Sequence, residues 1–165
     1  MFGRPPLSSP VRRRAALLAT VVAVPVAVVT GLVTARLTAP TPVHVQGTPF
    51  SIEGRKVCPR LVGGVPARLG PLAGRHVEGG AGSAAAWGDP PVVLRCGVPP
   101  RVTPAGQIVV LDGVDWTTDV DNAGVTWTTV GRRVNVQVRV PGRYDSQGPL
   151  LSPLSPVIRR TVPRA

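Results

Sequence analysis

The stretch Trp87-Gly88-Asp89-Pro90-Pro91-Val92-Val93-Leu94-Arg95-Cys96-Gly97 decides how the rest of the chain is read. Its two prolines lack amide hydrogens and stiffen the backbone, so Val92 to Cys96 reads as a buried strand entered from a rigid corner. The strand carries one of the chain's two cysteines, and the other is Cys58. Downstream, Pro99-Pro100 closes it. Ile108 to Leu111 and Val114 to Trp116 flank Asp112-Gly113, a pair that tolerates the positive φ angles of a type I′ turn, which predicts a hairpin. A Gly-containing loop is expected from Asp119 to Gly124. Val125 to Thr129 and Val134 to Val140 follow as strands joined across Val130-Gly131-Arg132-Arg133. In the second, Val134, Val136, Val138 and Val140 alternate with Asn135, Gln137 and Arg139, a period of two that turns one face to water.

Upstream, Cys58-Pro59 is expected to open a short helix with Leu61 and Val62 facing inward and Gly63-Gly64 ending it. Pro66 and Pro71 forbid a long one. Arg75 to Glu78 reads as a brief strand and Gly79-Gly80-Ala81-Gly82 as a loop. Near the C-terminus Leu150, Leu154, Val157 and Ile158 recur at helical spacing, with Ser155-Pro156 as cap and first turn. Together these predict an α+β domain with a small antiparallel sheet of 4-5 strands and two short helices on one face. No crossover helix separates the central strands, so parallel βαβ units do not fit; a small all-β sandwich is the alternative.

From Ala15 to Ala35 there are 21 residues without a charge. As a helix they span about 31 Å, close to the hydrocarbon thickness of a bilayer. Arg12, Arg13 and Arg14 precede them, and basic residues stay on the cytoplasmic side, so the bulk of the chain is expected outside. The organisation read from this is a basic cytoplasmic N-terminus (1–14), a single transmembrane helix or uncleaved signal anchor (15–37), a Pro-rich tether (38–54), an extracytoplasmic domain (55–160) and a basic tail (161–165). A cleaved signal peptide ending at Val33-Thr34-Ala35 is the competing reading. Either way the domain is exported, where paired cysteines favour a disulfide, so Cys58 and Cys96 are expected to bond.

The chain of 165 residues carries 19 basic and 8 acidic residues, a formal net charge of +11. Arginine dominates the basic set, as coding bias in a GC-rich genome produces; the competing reading is a surface for anionic lipid headgroups or acidic wall polymers. An exported domain excludes nucleic acid as a partner. His44 falls in the tether and reads as solvated. No set of His, Cys and carboxylates has metal-ligand spacing, and no cofactor is expected. His76 with Ser83 and Asp89 lacks the G-x-S-x-G elbow of a hydrolase, and Gly80-Ala81-Gly82-Ser83-Ala84-Ala85 lacks the strand and helix a dinucleotide site needs. Trp87, Asp89, Arg95 and Trp116 are the residues that could face a ligand; for the tryptophans, core packing is the competing role. Asp89 and Arg95 flank one strand and could pair across the corner.

Trp87 to Gly97, followed by Gly113-Val114-Asp115-Trp116 and Thr128-Thr129-Val130-Gly131-Arg132, resembles the actinobacterial domain-of-unknown-function family 3515, over about Cys58 to Ile158. The resemblance implies a membrane-anchored or secreted envelope protein and supplies no catalytic residue, cofactor or substrate. The expectation is therefore a non-catalytic binding or scaffolding module of the envelope. Its partners would be the cell membrane and a lipid headgroup, wall polymer or envelope protein. The alternatives are a hydrolase or transferase using Asp89, Asp112 or Asp115 as acid and base, or a structural subunit of a membrane complex.

Overall fold

The computed structural model of the chain describes residues 41–47, 51–100 and 108–165. In chain order the elements are β1 (Val43–Val45), α1 (Ile52–Gly64), β2 (Arg68–Leu69), β3 (Leu72–Arg75), β4 (Val77–Gly79), β5 (Ala84–Trp87) and β6 (Val92–Val98). They continue as β7 (Ile108–Leu111), β8 (Val114–Asp121), β9 (Gly124–Thr129), β10 (Asn135–Pro141), α2 (Gln147–Leu151) and α3 (Ser155–Thr161). Single 3-10 turns occupy Gly80–Gly82 and Ser152–Leu154. The segment expected to cross a membrane, 15–37, lies outside the described residues. Among those described, no helix is long and apolar enough to span a bilayer.

The class is α+β, as read from the sequence, but the sheet is larger than four or five strands. Eight strands run in the order β2-β3-β5-β6-β10-β9-β8-β7, every neighbouring pair antiparallel. The alternating strand β10 sits at its centre, between β6 and β9. Directly opposed residues share a face of the sheet. Leu94, Val138 and Trp127 therefore point one way, and Arg95, Gln137 and Thr128 the other.

The apolar face is covered by the helices. Val57, Cys58 and Leu61 of α1, Leu150 and Leu151 of α2 and Val157 and Ile158 of α3 form one core with Val92, Leu94, Val136, Val138 and Trp116. A fully buried aliphatic side chain contributes roughly 1.5–3 kcal/mol, so this layer carries most of the stability. α1 begins earlier than expected: the Ser51 hydroxyl accepts the Gly54 amide at 3.0 Å and Glu53 sits in the positively polarised first turn. Pro59 therefore lies inside the helix on its exposed side, where it forgoes the bond to the Arg55 carbonyl. Ser155 is the first residue of α3 rather than its cap, and its hydroxyl donates to the Leu111 carbonyl at 2.9 Å.

The Asp112-Gly113 hairpin forms as expected, with φ of 47° and 76° at its two turn residues. The loop expected over Asp119 to Gly124 shrinks to Asn122-Ala123, because β8 continues to Asp121 and β9 starts at Gly124. Arg75 to Glu78 divides between β3 and β4, and the alanine-rich β5 is an additional strand. Within the stretch expected as tether, Val43–Val45 form β1 in parallel with β4, and Ile52 opens α1.

Candidate functional site

The opening motif is a structural corner. The consecutive carbonyls of Gly88, Asp89 and Pro90 accept from Arg75 Nη1 at 2.7 Å, Arg143 Nη1 at 3.3 Å and the Tyr144 hydroxyl at 2.8 Å. The Trp87 indole donates to the Pro66 carbonyl at 2.9 Å. Trp87 is 1% exposed and Trp116 0%, so both are packed in the core. Trp116 meets Trp127 edge to face with ring centroids 6.4 Å apart. Asp89 does not pair with Arg95; its nearest cation is Arg75, at 3.8 Å. Of the four residues named as ligand-facing, Arg95 lines a cavity of about 510 Å³, while the buried Trp87 only edges a smaller one of about 290 Å³.

That cavity is a groove of about 510 Å³ on the sheet's open face. Its floor comes from Val93 and Arg95 of β6, Gln137 and Arg139 of β10 and Thr126 of β9; its wall is His44, Val45 and Gln46. The register explains the floor: Arg95 opposes Gln137, Val93 opposes Arg139, and Arg139 opposes Thr126. The wall follows from β1 pairing beside β4, which brings the Gln46 carbonyl within 3.1 Å of Arg95 Nη2.

Two guanidiniums give the groove its charge, and they differ in state. Arg139 donates to Asp121 at 2.5 Å and to the Thr126 hydroxyl at 2.8 Å. That hydrogen bond, with one from the Ala123 amide, holds the Asp121 carboxyl below its ordinary range, and the same contact raises Arg139. Arg95 is exposed and donates only to a neutral carbonyl, so its charge is uncommitted among the described residues. His44 Nδ1 lies 3.2 Å from Glu78 at the rim. Among the described residues the lining holds no Ser, Cys or carboxylate. It offers a cation, amides and a hydroxyl, the set that recognises carboxylate or phosphate oxygens.

The other candidates scatter. Asp89 lies at the β5–β6 turn and Asp112 at the β7–β8 turn, at opposite ends of the sheet by the strand registers. Asp115 is the second residue of β8, at the same end as Asp112. Ser83 and Asp89 bracket β5, about 15 Å of extended chain, and the Ser83 hydroxyl donates to the Gly80 carbonyl. Gly80–Gly82 is a single 3-10 turn between β4 and β5, with no crossover helix following it. Among the described residues no three His, Cys, Asp or Glu gather as a metal site. Gln137, Arg139 and Thr126 were not singled out by sequence, although the alternation of β10 already turned Gln137 and Arg139 to water.

The fold and groove define a disulfide-linked α+β domain with an open polar sheet face. The chain belongs to the DUF3515 family, proteins of unknown function, whose model matches residues 16–165. No curated protein and no solved structure matches it.

Proposed function

We propose that this protein is an anchored, extracytoplasmic module of the cell envelope that binds an anionic ligand in the groove between β1 and the open sheet face. The observation that carries the reading is Arg95, an exposed cation without an ion pair among the described residues, set beside Gln137 and Arg139 in a cavity of about 510 Å³. The export half rests on the 21 uncharged residues after Arg12, Arg13 and Arg14 and on a disulfide suited to an oxidising compartment. Acidic wall polymers, rich in carboxylates or phosphates, carry the chemistry such a groove accepts.

The test is titration of the full chain with soluble acidic wall-polymer fragments, followed by calorimetry. Arg95→Ala with Gln137→Ala is expected to weaken binding at least about tenfold, since each charge-assisted bond contributes about 1.5–3 kcal/mol. Equal binding by the variant, or none by the native chain, sinks the groove. Protease shaving of intact cells that leaves residues 41–165 intact sinks the export.

A further inference from the structure

The net charge of the described residues is not spread evenly. The described residues hold thirteen basic and eight acidic side chains. α1 and α3 together carry five of the basic ones, Arg55, Lys56, Arg60, Arg159 and Arg160, against the single acid Glu53. Everything else, sheet and loops alike, holds eight basic against seven acidic and is close to neutral. Coding bias toward arginine has no means of choosing two helices out of thirteen elements. The excess is therefore a property of one surface.

Most of that charge lies along the outer side of α1. On α1 the buried stripe is Gly54, Val57, Cys58 and Leu61, which leaves Ile52, Arg55, Lys56, Pro59, Arg60 and Gly63 on the outer side, all exposed. α3 buries Val157 and Ile158 and exposes Arg159 and Arg160. The two helices pack on each other, with Val157 beside Gly64, which sets exposed Arg160 near the α1 cations, while Arg159 reaches over the β7–β8 turn at Gly113. At one end of the α1 stripe stands Ile52, 67% exposed, an apolar side chain among cations.

We infer that the outer face of α1 and α3 docks on an anionic lipid surface, with the arginines on headgroup phosphates and Ile52 in the acyl boundary. Point charges on long, mobile arms suit a fluid array of phosphates better than one rigid ligand, and an exposed isoleucine at the end of the cationic stripe can enter the acyl boundary beneath them. Docked this way, the groove on the opposite face of the sheet points away from the bilayer. The assignment stands on charge placement and does not need the groove to bind anything.

The experiment places a tryptophan at the contact. Ile52→Trp in the full chain is reconstituted with vesicles of brominated phosphatidylcholine, either alone or with about a third phosphatidylglycerol. The added fluorescence is expected to be at least about threefold more quenched on the anionic vesicles, and the difference to vanish at about 1 M salt, where the Debye length is about 3 Å. Arg55→Glu with Arg160→Glu in the same background removes the difference. Should that pair misfold, the salt dependence of the single variant still decides. Equal quenching on both vesicles overturns the inference, and so does equal quenching together with retention on immobilised polyphosphate, the pattern of a wall-polymer partner.

Discussion

Cys58 on α1 and Cys96 on β6 are joined through their sulfurs, with Cα atoms 5.5 Å apart. The bond closes a segment with a sequence separation of 38 and fastens the helical layer to the strand beside the sheet's central one. In the chain-entropy account a loop of that length contributes about 4 kcal/mol. The Cys58→Ala/Cys96→Ala variant is expected to lose about 2–5 kcal/mol in urea unfolding. A loss below about 0.5 kcal/mol would mean the denatured chain is already held by other contacts.

Asp121 and Arg139 set a pH dependence. The Asp121 carboxyl is held below its ordinary value of 3.8, first by the Arg139 hydrogen bond and then by the Ala123 amide. A carboxyl depressed in the folded state adds stability above its unfolded pKa and loses it as pH falls through the folded one. Asp121→Asn is therefore expected to melt below the native chain at pH 6, with the gap closing below about pH 4. The Asp121 carboxylate is more than half exposed, so the gap is small and shrinks with salt. A gap that persists unchanged at low pH refutes the assignment.

The central strands and the hairpin were legible because their signals are local. Valine alternation fixes the face of β10, and Asp112-Gly113 fixes its turn whatever surrounds it. The peripheral strands β2, β3 and β5 were not, since Ala84-Ala85-Ala86 carries no β-branched residue and is a strand only because β6 offers a partner. The start of α1 is not legible because Pro59 suits a first helical turn while Ser51, the actual cap, lies in a stretch that reads as tether. For the site, sequence supplied Arg95 and the water-facing side of β10. It could not supply the wall, because the approach of His44 and Gln46 depends on the parallel pairing of β1 with β4, a long-range contact with no local signature.

Gly124 and Gly63 should respond oppositely to alanine. Gly124 has φ of 142°, and a Cβ there would lie 2.1 Å from the Val140 carbonyl oxygen, a backbone atom of the central strand. Gly124→Ala must move β9 or β10 and is expected to cost about 3 kcal/mol or more. Gly63 lies near the end of α1 with nothing within 4 Å of an added Cβ. Gly63→Ala is expected to stabilise by about 0.5–1 kcal/mol by helix propensity and a more restricted unfolded chain. Thermal denaturation of the two variants side by side checks both signs.

The tryptophans Trp87 and Trp116 are buried equally and differ in one hydrogen bond. The Trp87 indole donates to the Pro66 carbonyl at 2.9 Å, while the Trp116 indole nitrogen is buried and has no partner among the described residues. Replacing either by Phe deletes the same ring area, so that cost is shared. Trp87→Phe also leaves a carbonyl without its donor, whereas Trp116→Phe removes a polar group that was desolvated for nothing. Trp87→Phe is therefore expected to be the more destabilising by about 1–2 kcal/mol in urea. Equal losses would mean that the Trp116 indole finds an acceptor in solution, and a Trp116→Phe variant more damaging than Trp87→Phe would show that the edge-to-face contact with Trp127 outweighs the corner bond.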